Sequence, residues 1–372
     1  MKKILAVALC LSTLTITSAQ ELKLPAWLND IKLSGYGIIQ FQYSSQENIK
    51  ANSFNLRMVR VSIDGHLLNH FYWKAQIQFN GNTTNLGSSP RLVDLFAEWQ
   101  EYNYLRLKVG QFKRPFTFEN PMHPIDQGFM SYGQVITRLA GFNDRNGAHP
   151  SNGRDIGLQL QGDLIKTQQG RNLLHYQVGV FNGQGINTKD IDQQKDLIGG
   201  IWLMPIQGMR IGTFGWTGSY SRKGTWTDAG GNNLSGVRTL QQRRYAFSAE
   251  YKSNSYMLRT EYIHSTGDAF KTVYQTADTK DCTLSTDRDK ADGIYALAIA
   301  PIVKNKLHAK LRYDLYRPTA DWSKAKTQYE IGINYEFSHN LKLSGEYAFI
   351  NDRSLATKHS YNIIDVQFAF RF

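Results

Sequence analysis

The sequence predicts an all-β protein: a 16-stranded antiparallel up-and-down transmembrane β-barrel with an inward-folded third loop. Three observations carry this prediction. Segments of period-two alternation recur along the chain. The connections between them alternate between short and long. The two faces of the segments differ in kind, one aromatic and aliphatic, the other polar and charged.

The alternation is plainest in residues 360–372. Ile364, Val366, Phe368, Phe370 and Phe372 fall on one face, and Asp365, Gln367, Ala369 and Arg371 on the other. Side chains of a strand point alternately to opposite sides, so this segment separates two different solvents. A soluble sheet produces the same pattern, and the rest of the chain has to decide between them.

Taken in order, residues 1–19 read as a signal peptide. Met1-Lys2-Lys3 is basic, Ile4 to Ile16 is mostly apolar but too short to cross a bilayer, and Thr17-Ser18-Ala19 offers small residues for cleavage. Residues 20–372 are then one barrel domain. Cys10 leaves with the signal, so Cys282 is alone and no internal disulfide is expected. No later apolar run approaches the length of a membrane-spanning helix.

Strand-like segments lie near residues 32–43, 54–65, 71–80, 91–100, 105–115, 154–164, 174–182, 195–203, 209–220, 241–251, 255–265, 291–300, 307–316, 326–337, 340–350 and 360–372. They number sixteen, and single-chain bacterial barrels have even strand counts. The connections 66–70, 101–104, 204–208, 252–254, 301–306 and 338–339 are short. Those at 44–53, 81–90, 116–153, 183–194, 221–240, 266–290, 317–325 and 351–359 are long. In a meander this order puts all the short turns on one rim and all the long loops on the other, the asymmetry of an outer-membrane barrel. The connection 165–173 is somewhat long for its rim and is the exception.

The apolar faces fit lipid. Tyr329, Ile331, Ile333, Tyr335 and Phe337 line one strand, and Phe71, Trp73, Ala75, Ile77 and Phe79 another. Aromatic rings near strand ends suit the two membrane interfaces. The opposite faces carry Arg60, Lys74, Arg106, Lys108, Lys310 and Arg312, together with Asp64, Asp94, Glu98, Asp314, Glu330 and Glu336. A dry core could not hold so many charges without large desolvation costs, whereas a water-filled lumen solvates them.

Lys and Arg number 43 against 31 Asp and Glu, a net charge of +12, which falls to +10 on loss of Lys2 and Lys3. A basic excess suits nucleic acid, an anionic membrane or an anionic solute. Export and the lack of a run of five basic residues disfavour nucleic acid. The expected partners are outer-membrane lipids and small anionic solutes. The longest connection, 116–153, holds Arg138 and Arg145 and adjoins Arg154. A loop of this length is functional or disordered, and Phe129, Met130, Ile136 and Leu139 argue against disorder. Folded into the lumen it would narrow the pore and present guanidinium forks suited to phosphate or carboxylate, diluted by Asp126 and Asp144.

Val109-Gly110-Gln111-Phe112-Lys113-Arg114-Pro115-Phe116, followed by Glu119, resembles a signature of the phosphate-selective porin O and P family. Gly153 to Leu160, Val178 to Gly183, Lys195 to Gly199 and Phe54 to Gly65 are also similar to that family. The signal ending Ser18-Ala19-Gln20 is of a kind common among Bacteroidetes exports. The resemblance implies a bacterial outer-membrane porin of sixteen strands, a homotrimer, and an anion path of inward Arg and Lys. Arg106, Lys108, Arg114 and Arg154 lie within the matching motifs. The expected activity is passive diffusion of small solutes with a preference for anions, phosphate being one candidate. No HExxH, Cys pair or spaced His cluster is present, so no cofactor or metal is expected. Two rivals stay open. One is a surface-binding or adhesion barrel with a blocked lumen. The other is a barrel hydrolase working at its rim through His264 and Asp268 or Asp352 and His359.

Overall fold

The computed structural model describes residues 28–47, 49, 51–81, 90–147, 151–271 and 281–372. The signal peptide expected at 1–19 lies outside the described residues. Sixteen strands follow one another: β1 (Leu28–Ser44), β2 (Ala51–Leu67), β3 (Phe71–Gly81), β4 (Arg91–Tyr102), β5 (Leu105–Lys113), β6 (Arg154–Lys166), β7 (Asn172–Phe181), β8 (Asp196–Leu203), β9 (Met209–Thr227), β10 (Asn233–Lys252), β11 (Met257–Gly267), β12 (Lys290–Val303), β13 (Leu307–Arg317), β14 (Lys326–Ser338), β15 (Leu341–Asp352) and β16 (Ser360–Arg371). Each pairs antiparallel with its neighbours in sequence, and β16 pairs with β1, so the sheet closes into a barrel. Closure pairs the backbone groups that an open edge would leave bare in hydrocarbon. All sixteen strands read from the alternation are present.

The alternation is realised as two environments. On β14, Tyr329, Ile331, Ile333 and Phe337 are exposed, while Glu330 and Asn334 between them are buried. The apolar set therefore forms the outer surface and the polar set faces the interior. At the closing seam, Gly37 stands opposite Phe370 and Ile39 opposite Phe368. The Phe372 amide donates to the Gly35 carbonyl at 3.1 Å, and the Gly35 amide returns the bond at 3.0 Å.

Some boundaries differ from the sequence reading. The expected long loop 221–240 is largely strand: β9 and β10 continue past the apolar band in unbroken register, with Arg222 opposite Arg238. Arg222, Lys223 and Gly224 end the apolar alternation, which hides the strand from a hydropathy reading. What supports the extension is a satellite core of Tyr220, Leu240, Phe270 and Cys282. β12 runs through Pro301 to Val303, where a register shift accommodates the ring that cannot donate. The connection expected at 165–173 is only 167–171, so the short-turn rim is uniform after all. Among the long connections, 114–153 holds one short helix, α1 (Gln134–Leu139), which packs on β11, β12 and β13.

Candidate functional site

The interior face is built first from how β5 leaves the wall. Its pairing with β4 ends at Gln111 opposite Leu95. Beyond that point the carbonyl of Leu92 accepts from Asn187 Nδ2 at 2.9 Å, and that of Val93 from Gln111 Nε2 at 3.2 Å. Side-chain amides thus satisfy a strand edge that the ladder abandons. Residues on both faces of the departing hairpin are buried: Phe112, Arg114 and Asp155 on one side, Gln111 and Arg154 on the other.

From there the connection 114–153 bonds in sequence to the polar faces of β10 through β16. Arg244 on β10 donates both terminal nitrogens to Asp144, at 2.6 and 2.8 Å. Arg259 on β11 meets Glu119 at 2.9 Å and the Gln127 carbonyl at 2.8 Å. Glu261 accepts the amides of Phe118 and Glu119 at 2.6 and 2.9 Å. Asp314 on β13 accepts the amide of Gln134, the first residue of α1, at 2.7 Å. A carboxylate at that end also suits the exposed amides of a helix start. Glu346 on β15 accepts the Met130 amide at 2.8 Å, and Arg371 on β16 reaches Asp126 at 2.8 Å. Val135, Ile136 and Leu139 complete the attachment by joining an apolar cluster with Ile263, Ala291 and Tyr295. Many wall acids are therefore anchors for backbone amides, a role the residue types alone do not reveal.

The ten cations expected to line an anion path separate into two groups. Arg60, Arg114, Arg145, Arg154, Lys310 and Arg312 are buried. Arg114 pairs with Asp155 at 2.8 Å and donates to Ser151 at 3.2 Å. Arg154 grips Asp94 with two bonds of 2.6 and 2.9 Å. Lys310 pairs with Glu346 and donates to Asn334, while Arg312 pairs with Glu330 and holds the Ser131 carbonyl at 2.7 Å. Arg145 donates to the Gly267 carbonyl at 2.7 Å, and Arg60 donates to Gln78 at 2.9 and 3.0 Å. Lys74, Arg106, Lys108 and Arg138 keep partial exposure. Of these, Arg106 pairs with Asp163 at 2.8 Å and Lys108 with Glu98 at 3.3 Å. Lys74 stands opposite Asp64 in the β2–β3 register. Arg138 closes α1 and donates to the Asn143 carbonyl at 3.3 Å.

Sequence reasoning missed Arg244, Arg259 and Glu261, although each sits on the interior phase of its strand and parity alone would have found them. It also missed Arg91 and Lys113, which are half-buried on the β4–β5 side. The ammonium of Lys113 lies 4.5 Å from the ring centre of Phe142 and 5.1 Å from that of Tyr132. Arg91 has the cations Arg60 and Arg154 as its charged neighbours. Of the rim residues offered for hydrolysis, Asp352 and His359 meet through their backbones, the Asp352 amide donating to the His359 carbonyl at 2.7 Å. His264 lies 3.9 Å from Asp292, which also pairs with Arg317, and its ring stacks on Tyr245.

The architecture has known counterparts. Solved structures similar to this chain include OmpT of Vibrio cholerae, with 11% identity and a TM-score of 0.62, covering 94% of this chain and 99% of that one. OmpF of Salmonella typhi in complex with daunomycin has 14% identity and a TM-score of 0.62, covering 92% and 98%. The outer membrane channel DcaP of Acinetobacter baumannii has 13% identity and a TM-score of 0.59, covering 92% and 97%. At such identities the likeness is one of fold. No curated protein matches the sequence. A sequence model of the phosphate-selective porin O and P family matches residues 34–181, the stretch from β1 to the end of β7. With the closed barrel, its apolar outer surface and its charged interior in place, the chain has the fold of outer-membrane porins, and its stretch from β1 to β7 is similar to the phosphate-selective porin O and P family.

Proposed function

We propose that this porin is an anion-preferring diffusion pore, that the connection 114–153 forms its constriction, and that it works as a homotrimer. One observation carries the selectivity reading. Most hydrogen bonds from the connection to the wall go to β10 to β16, so the passage left for solute runs along β1 to β6, where Lys74 and Arg91 keep access to water. On the opposite wall the cations are consumed in ion pairs with acids of the wall and the connection. An ion in a narrow passage with low-dielectric walls feels such fixed charges with little screening.

Phosphate is the anion this family's name suggests, and Lys and Arg together supply the point charge and the planar fork it takes. The trimer is favoured by a similar solved structure, a trimer form of Vibrio cholerae OmpT. Reversal potentials across a planar bilayer in a salt gradient test the selectivity. A wild-type channel that prefers cations would refute it and leave an unselective porin.

A further inference from the structure

The geometry points to a binding track for neutral sugars on the interior wall of β3 to β8, in the half of the barrel nearer the short turns. Three rings there, Tyr72, Phe96 and Trp202, face the interior and are only half-buried. Tyr72 and Phe96 lie side by side, 6.0 Å apart at 53°. Trp202 is fixed by stacking on His175 at 4.0 Å and 19°. Behind them Phe112, Phe118 and Phe214 are fully buried and hold the exposed rings in place. The connection 114–153 meets this wall at Phe118, whose ring packs on Trp202 at 5.6 Å, and the Lys108 ammonium lies 4.8 Å from the Phe96 ring centre, so each of the three rings keeps only part of its surface open to the passage. The part of each ring that stays exposed is apolar surface against a water-filled interior, and covering it is favourable.

The polar groups between the rings define the occupant. Arg106 pairs with Asp163, and Lys108 pairs with Glu98. Asp163 also meets His175 at 2.7 Å, and Gln161 donates to Glu98. Each cation here already has its carboxylate, so the track offers an inorganic anion little net field. It does offer donors and acceptors side by side, at the edge of a ring face. A pyranose has the matching surface. Its axial C–H face is apolar and its rim of hydroxyls both donates and accepts, so a carboxylate can take a hydroxyl proton while the adjacent guanidinium or ammonium donates to the oxygen. The inference relies on the pore reading only for how the sugar arrives.

The test uses purified full-length protein and maltotriose as the neutral probe. In planar bilayers, millimolar maltotriose should reversibly reduce the ion current, and the same concentration of sodium phosphate should not produce that block. Replacing both Tyr72→Ala and Phe96→Ala should weaken the sugar block by roughly two- to tenfold, the range of an aromatic contact, while ion conductance persists. In detergent, maltotriose should change the tryptophan fluorescence, and Trp202→Leu should remove most of that change. Heat-modifiable gel migration verifies that each variant is folded. A conducting channel that maltotriose does not block, or a block indifferent to the ring variants, overturns the track and leaves the porin intact. If no conductance is found, the pore reading fails, and the fluorescence titration alone decides the track.

Discussion

Gly37 on β1 lies beneath the ring of Phe370 on β16, so closely that a Cβ at Gly37 would stand 2.4 Å from Cζ of Phe370. Gly35 has the same relation to Phe372, at 2.5 Å. The first and last strands thus close on a fit of ring to bare backbone. In this register the absent side chain of one strand makes room for the aromatic of the other.

Gly37→Val should therefore push the Phe370 ring out and lower the yield of heat-modifiable, folded barrel. Phe370→Ala alone should also lower the yield by removing the ring. The double variant should recover part of the Gly37→Val loss, because the clash is gone. Detergent gels of heated and unheated samples read the outcome, and additive losses would mean that the two sites act independently.

The attachment of the connection 114–153 can be probed at Arg259, whose side chain and that of Glu119 are both wholly inaccessible. Arg259→Met should leave Glu119 and Glu250 buried without their cation and cost about 3–5 kcal/mol, visible as a lower urea midpoint. Single-channel records should become noisier as the connection loosens. Adding Glu119→Gln should restore part of the stability, since one stranded charge is removed.

Selectivity and stability should separate between two sets of cations. Lys74→Glu with Arg91→Glu should move the reversal potential toward cations, by roughly two- to fivefold in permeability ratio. Arg154→Gln, which breaks the two-bond grip on Asp94, should instead reduce stability and shift selectivity less. Equal shifts from both changes would place the buried arginine on the ion path.

The quaternary prediction is a trimer in native mass measurement from mild detergent. Mass independent of dilution over the working range would indicate a stable assembly. A conducting monomer would remove the trimer and leave the pore.

The extended β9–β10 hairpin should be dispensable for closure, because beyond the apolar band its ladder is with itself. Deleting residues 223–237 should leave a heat-modifiable, conducting barrel. Cys282, buried and donating its amide to the Thr225 carbonyl at 2.8 Å, should then become reactive to maleimide. Slow labelling in the deletion variant would show that other groups bury it.

The sequence by itself determined the sixteen strands, the phase of each and the rim to which each connection belongs. These are local properties: a side chain's face follows from parity, and a barrel in lipid needs its apolar residues on one parity. It was misled where local hydropathy was uninformative, as at Arg222 to Gly224, because a strand above the membrane needs no apolar face. Tertiary structure alone decided what each charge does. Arg259 finds Glu119 140 residues away and Arg244 finds Asp144 across 100, contacts that exist only once the barrel has closed around the connection. Buried charge requires a partner wherever the fold supplies one, so Arg114 and Arg154 became ties in the scaffold, while Lys74 and Arg91 kept water because the connection was bonded mainly to the opposite wall.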